Sequence, residues 1–127
     1  MQTFEDLLVW RKAHELVLDV YRATERFPIE ERYGLIAQMR RAAVSVPANI
    51  VEGHKRASKR GFSNFITIAE GSLDELKYYL ILSRDLGYLL TEHSELLHTN
   101  AEEIGRMLHG LQTHIKEELT DATATIR

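Results

Sequence analysis

Apolar residues recur every three or four positions along almost the whole of this 127-residue chain, and only two prolines interrupt them. Residues three and four apart stack on neighbouring turns of a helix, so the pattern gives each segment one apolar face. Strand-like alternation is missing. Such faces are satisfied when helices lie against one another around a shared core. The spacing therefore predicts an all-α fold of four helices.

The first helix is expected over about 4–25, with Thr3 as its N-cap and Asp6 three positions on as a partner. Leu7, Trp10, His14, Val17, Val20, Tyr21 and Thr24 form its stripe. Phe27-Pro28 ends it, because the residue before a proline avoids helical geometry. The second is expected over about 28–57. Pro28 suits a first turn, and Glu30 and Glu31 suit the positive helix start. Leu35, Met39, Ala42, Val46 and Ile50 form its stripe, with Pro47 inside it as a site of bending. The third is expected over about 59–87, capped by Ser58, with Phe62, Phe65, Ala69, Leu73, Leu76, Leu80, Ser83 and Gly87 inward. Residues 87–91 make a turn. The fourth is expected over about 92–119, with Leu97, Ala101, Ile104, Leu108, Leu111 and Ile115 inward.

Long helices joined by short connections predict an antiparallel up-down-up-down bundle. Residues 1–119 form that single domain, and 120–127, which lack a stripe, are expected to fray. Leu8, Val9, Ile36, Ile68, Ile81, Leu82, Leu86 and Leu89 fall off the core stripes. They widen the core-facing face or make a second face for self-association.

Cysteine is absent, which excludes disulfides, thiolate zinc sites and thiol nucleophiles. No apolar run approaches the ~20 residues of a membrane span, and the N-terminal apolar run is short and broken by Glu5 and Asp6, unlike a secretory leader. A cytoplasmic protein with no membrane partner is expected.

The net charge of −3 conceals a reversal. Residues 39–69 carry six bases, Arg40, Arg41, Lys55, Arg56, Lys59 and Arg60, against the single acid Glu52. Both flanking thirds are acidic. A local basic field steers polyanions more effectively than total charge does, so these six residues are candidates for contacting the phosphates of RNA or DNA in a salt-dependent, sequence-tolerant way. The alternative is a protein–protein adaptor in which the same cations make structural salt bridges, including bridges between subunits.

Ser45, Asn49, Glu52 and Gly53 form a polar motif within the second helix. Asparagine is unfavourable in a helix interior, so its presence points to a polar bolt that fixes helix register or a subunit contact. The carbonyl left free by Pro47 is one acceptor it could serve, and Glu52 is spaced to pair with Arg56.

Enzyme signatures are lacking. Gly53 and Gly61 are not followed by the Lys-Ser/Thr of a phosphate loop, and no nucleophile elbow occurs. Glu95 and His98 make one Glu-x-x-His pair, where a di-iron bundle needs two plus two further glutamates. His109 and His114 are five apart, unsuited to chelation from one face, and His54 adds to the basic cluster when protonated. No catalytic residue, metal or cofactor is assigned.

Several phrases resemble one family. They are Phe4-Glu5-Asp6-Leu7 with Trp10, Tyr33-Gly34-Leu35 with Gln38, Arg40-Arg41-Ala42, and Ser45 with Asn49-Ile50-Val51-Glu52-Gly53. Gly71-Ser72-Leu73-Asp74-Glu75-Leu76 with Leu86-Gly87-Tyr88 completes the set. In order and spacing they are similar to the small bacterial four-helix bundles encoded by intervening sequences within 23S ribosomal RNA genes. Val51 stands where alanine is usual, and Gly61 where a charged residue often precedes the phenylalanine. The resemblance implies a homopentamer without known enzymatic activity. A related branch, the accessory protein of diversity-generating retroelements, is a more basic pentamer that binds nucleic acid.

Overall fold

The computed structural model describes the backbone of residues 3–126 and the side chains of 3–121. It contains four α-helices and, among the described residues, no strand: α1 Leu8–Thr24, α2 Leu35–His54, α3 Lys59–Asp85 and α4 Thr91–Ile126. Two short 3-10 turns, Phe4–Asp6 and Ile29–Glu31, precede α1 and α2.

Both early helices start later than expected. Thr3 donates its backbone N–H to Asp6 Oδ2 at 3.2 Å, but the turn it caps closes at once, because Leu7 is extended (φ −78°, ψ 119°). After Pro28 the chain makes a 3-10 turn, and the acid expected inside the first turn of α2 caps it from outside. Glu31 Oε1 accepts the Leu35 N–H at 3.3 Å, placing a carboxylate at the helix start.

The α2–α3 break falls where Ser58 predicts it, with Ser58 Oγ accepting the Gly61 N–H at 3.0 Å. α2 ends at His54, before the expected 57. α3 ends at Asp85, and Gly87, at φ +80°, reverses the chain. Tyr88 N–H then returns to Ser83 O at 2.9 Å and Gly87 N–H to Arg84 O at 3.0 Å, satisfying the last carbonyls. α4 stays helical to Ile126, through most of the segment expected to fray; Arg127 and the side chains after 121 lie outside the described residues.

Helix-to-helix bonds give the pairing. Arg41 meets Glu75 and Ser45 meets Ser72 across α2 and α3. Ser94 meets the Leu80 carbonyl, Gln112 meets Ser63 and Lys59 meets Glu118 across α3 and α4. In each pair of helices, numbers rise on one as they fall on the other. Met39, Ile50, Ile66, Leu73, Leu76, Leu80, Leu97, Ile104 and Leu108 are the largest fully buried apolar side chains. Burying each stabilises the fold by roughly 1.5–3 kcal/mol before entropy is counted.

Two residue choices tighten this core. Gln112, buried on α4, accepts the Ser63 hydroxyl at 2.6 Å and donates to Ser63 O and Thr67 Oγ1 at 3.0 and 2.9 Å. Gly53 lets α2 press on α3: a Cβ there would lie 2.8 Å from Phe65 Cβ and 3.0 Å from Phe62 Cδ1.

Candidate functional site

The polar residues of α2 collect along its junction with α3. Gln38, Arg41, Ser45, Asn49 and Glu52 follow one another at three- and four-residue spacing, which puts them on one side of the helix, and Arg56 follows just past its end. Arg41 Nη2 bonds Gln38 Oε1 at 2.6 Å and Glu75 Oε1 at 3.2 Å, and Tyr79 donates to the same Glu75 oxygen at 2.8 Å. That hydrogen bond, with desolvation second, holds the Tyr79 phenol above its ordinary range. In the middle, the Ser45 and Ser72 hydroxyls lie 2.7 Å apart. Asn49 Nδ2 donates to Ser45 O at 2.7 Å and Ser45 Oγ at 2.9 Å. Asn49 thus serves the Ser45 carbonyl, not the Ala43 carbonyl one turn before Pro47. At the far end Glu52 accepts Arg56 at 2.6 Å and sits 3.7 Å from Lys55. The Arg56 guanidinium covers the Phe65 ring at 4.7 Å.

The six candidate phosphate contacts therefore do not form one patch. Arg40 leaves the other side of α2: its Nε donates to Thr24 Oγ1 at 2.9 Å, its Nη2 to Tyr21 O at 3.2 Å, and it stacks on the Tyr21 ring at 4.4 Å. It closes the end of α1. Arg41 belongs to the seam. Lys55, Arg56, Lys59 and Arg60 do gather at the α2–α3 turn, all exposed. Lys55 and Arg56 are answered by Glu52 and Lys59 by Glu118 on α4. Arg60 has no ion pair among the described residues. His54 sets its ring edge-on to Phe62 at 6.0 Å. Glu118 also takes His114 Nε2 at 2.7 Å. The bond from Lys59 holds its carboxyl below the ordinary range, and His114 adds to the effect against a smaller desolvation that opposes it.

Glu118 was out of reach of sequence spacing, because it lies a whole helix hairpin away from Lys59. Ser72 and Glu75 carry family resemblance in the sequence, and their contacts with Ser45 and Arg41 arise only from helix packing. Among the described residues no cluster of three His, Cys, Asp or Glu is placed for a metal, and His98 Nδ1 lies 3.2 Å from Glu102. Among the described residues no helix is long and apolar enough to cross a membrane.

The profile of the 23S rRNA-intervening sequence protein matches residues 5–110. The chain belongs to that family. A solved structure of a protein of unknown function from the S23 ribosomal protein family of Bacteroides thetaiotaomicron is similar to it, with TM-score 0.73 and 24% identity over 83% of this chain and 98% of that one. That likeness shows the fold. Among curated proteins none matches.

In this member of the 23S rRNA-intervening sequence family, apolar surface concentrates in two further places. α3 carries a second stripe outside its core stripe, Ile68, Gly71, Tyr78 and Leu82, interrupted by the charged Glu75 of the α2–α3 seam, with Leu86 just past the helix end. Of these, Ile68, Tyr78 and Leu86 are 49%, 57% and 49% exposed. Gly71, within that stripe, has open space where a Cβ would stand. The second place is the bundle end opposite the basic turn. There Phe27 and Tyr88 pack at 5.5 Å, Tyr88 donates to Glu31 Oε2 at 3.1 Å, and Ile29, Tyr33 and Leu90 are bare.

Proposed function

We propose that this chain is a non-enzymatic scaffold: an up-down-up-down four-helix bundle that associates with copies of itself, as the homopentamer its family resemblance implies, and holds protein surfaces together in the cytoplasm. The observation that carries the reading is the second stripe of α3. Isolated exposed apolar residues are ordinary, but exposed Ile68 and Tyr78 flank a bare Gly71 at helical spacing, with Leu86 exposed just past the helix end. A mid-helix glycine costs about 1 kcal/mol against alanine. Among the described residues no contact requires this one, and it leaves room for a second backbone.

Nucleic-acid contact is the second reading. Lys55, Arg56, Lys59 and Arg60 lie within six positions, and exposed ion pairs are worth only about 0–1 kcal/mol. Glu52 and Glu118 are therefore weak competitors for a phosphate. Four cations against these two acids leave a positive turn in every copy.

Light scattering with and without a structured RNA, at low and high salt, tests both. The scaffold reading expects a mass several times the 14.6 kDa of one chain, unchanged by salt, falling to one chain in Ile68→Glu/Leu86→Glu with helical circular dichroism retained. A monomer at all concentrations sinks it. RNA mass gained only at low salt, and lost when the four cations become alanine in an intact oligomer, would establish the second reading.

A further inference from the structure

A concave site opens beside the end of α1, where the 25–34 connection enters α2. Its volume is about 340 Å3, the lower part of the range that takes a small ligand or an inserted side chain. Phe27, 6% exposed, and half-buried Ile36 are its apolar side chains, with Ile29 bare at 69% exposure. Arg32 and Arg40 bring two guanidinium groups to it, against one carboxylate, Glu25.

The two arginines differ in a useful way. Arg40 is fixed. Its Nε and Nη2 are held by Thr24 and the Tyr21 carbonyl, and its plane lies on the Tyr21 ring. Only Nη1 has no hydrogen bond among the described residues. Arg32 is exposed, and its guanidinium lies 6.0 Å from the centroid of the neighbouring Tyr33 ring. One rigid and one adjustable guanidinium beside an apolar surface match a group with an apolar body and a carboxylate a few bonds away. The pair carries one charge more than Glu25 answers. A basic or neutral apolar segment would leave that excess uncompensated.

We propose that this cavity is a docking site for an acidic–apolar segment of a partner protein, with a leucine or aromatic side chain seated against Phe27 and Ile36 and a neighbouring carboxylate bridging Arg32 and Arg40. The proposal rests on the protein-docking reading and gives it a partner chemistry. Exposed Tyr33 and Leu90, at the same end of the bundle, extend the apolar surface such a segment would cover.

The test uses the full chain with isoleucine methyl labels and 3-phenylpropionate as probe, a phenyl ring on a short arm with a carboxylate. At millimolar concentration it should move the methyl signals of Ile29 and Ile36 and leave those of Ile104 and Ile115 in place. 3-Phenylpropylamine, which replaces the carboxylate with an ammonium, should not move them. Arg32→Ala should weaken the probe about tenfold, the loss of a charge-assisted bond, with Arg32→Lys recovering part of it. Arg32 is exposed, so neither change threatens folding. Stationary Ile29 and Ile36 signals, equal effects from the amine, or unchanged affinity in Arg32→Ala would each overturn the proposal. None of those outcomes alters the oligomer's mass, so the scaffold reading stands or falls separately by light scattering.

Discussion

The two ends of this bundle handle their demanding residues in opposite ways. At the α2–α3 turn, Lys55, Arg56 and Lys59 find Glu52 and Glu118 within the chain, and Gly53 brings the two helices into close contact over Phe62 and Phe65. At the other end, Ile29, Tyr33 and Leu90 stay bare, and Arg32 has no acid among the described residues. The end that looks interactive in the sequence is largely satisfied internally. The end that looks like ordinary turn sequence carries the unanswered surface. A charge run is easy to see in one dimension, but its counter-charges are set by folding. An exposed apolar residue has no such signal, because the same residue type fills the core.

Substitution at matched positions should break this contrast most sharply. Gly53→Val puts two methyls where even a Cβ would lie 2.8 Å from Phe65 Cβ. We expect a loss of about 3 kcal/mol, the upper range for overpacking, seen as a lowered urea midpoint with unchanged slope. The change Tyr33→Ser at the opposite end should stay within about 0.5 kcal/mol, because 86% of that residue is already in water. If both substitutions cost the same, the ends are not different in kind.

Gln112→Leu is the next largest effect. The leucine fills similar volume but takes the acceptor from the buried Ser63 hydroxyl, while the Thr67 hydroxyl and the Ser63 carbonyl keep their bond to each other. An unpaired buried polar group predicts a cost of about 2 kcal/mol, measured by the same denaturation. A neutral result would mean that this amide is dispensable to α3–α4 register and that the apolar stripes set it alone.

The sequence is most informative where local chemistry decides. The stripes through Leu73, Leu76 and Leu80 and through Leu97, Ile104 and Leu108 are buried as their spacing predicts. Ser58 caps α3 because an N-cap is a local bond. It is least informative where two local options compete or where a partner is remote. Pro28 with two acids reads as a helix start, yet the chain spends Glu31 on capping α2 from outside and on Tyr88, an interaction between two turns 57 residues apart. Arg40 and Arg41 are adjacent in sequence but about 100° apart around a helix. One closes α1 while the other joins the α2–α3 seam. Asn49 is expected to fix helix register or a subunit contact, and its Nδ2 bonds run to Ser45 within α2. Gly53 stood out as part of a motif. That Phe62 and Phe65 demand it follows only from helix approach.

The subtlest test concerns Glu118, the residue that turns the basic island into an internal contact. Its carboxyl is held below the ordinary range first by the bond from Lys59, with His114 adding to the effect. A carboxylate whose folded pKa is depressed contributes stability that is present above its unfolded pKa and lost as pH falls through the folded value. The Lys59–Glu118 link should therefore persist through mild acid and weaken only below the ordinary glutamate range. Carbon-detected titration of the Glu118 carboxyl should show that depressed midpoint, and Lys59→Met should move it upward. Should the midpoint stay where it is in Lys59→Met, the pair is an incidental surface contact. Lys59 would then be as available to a phosphate as Arg60, and the basic turn would regain the interactive character that its sequence suggests.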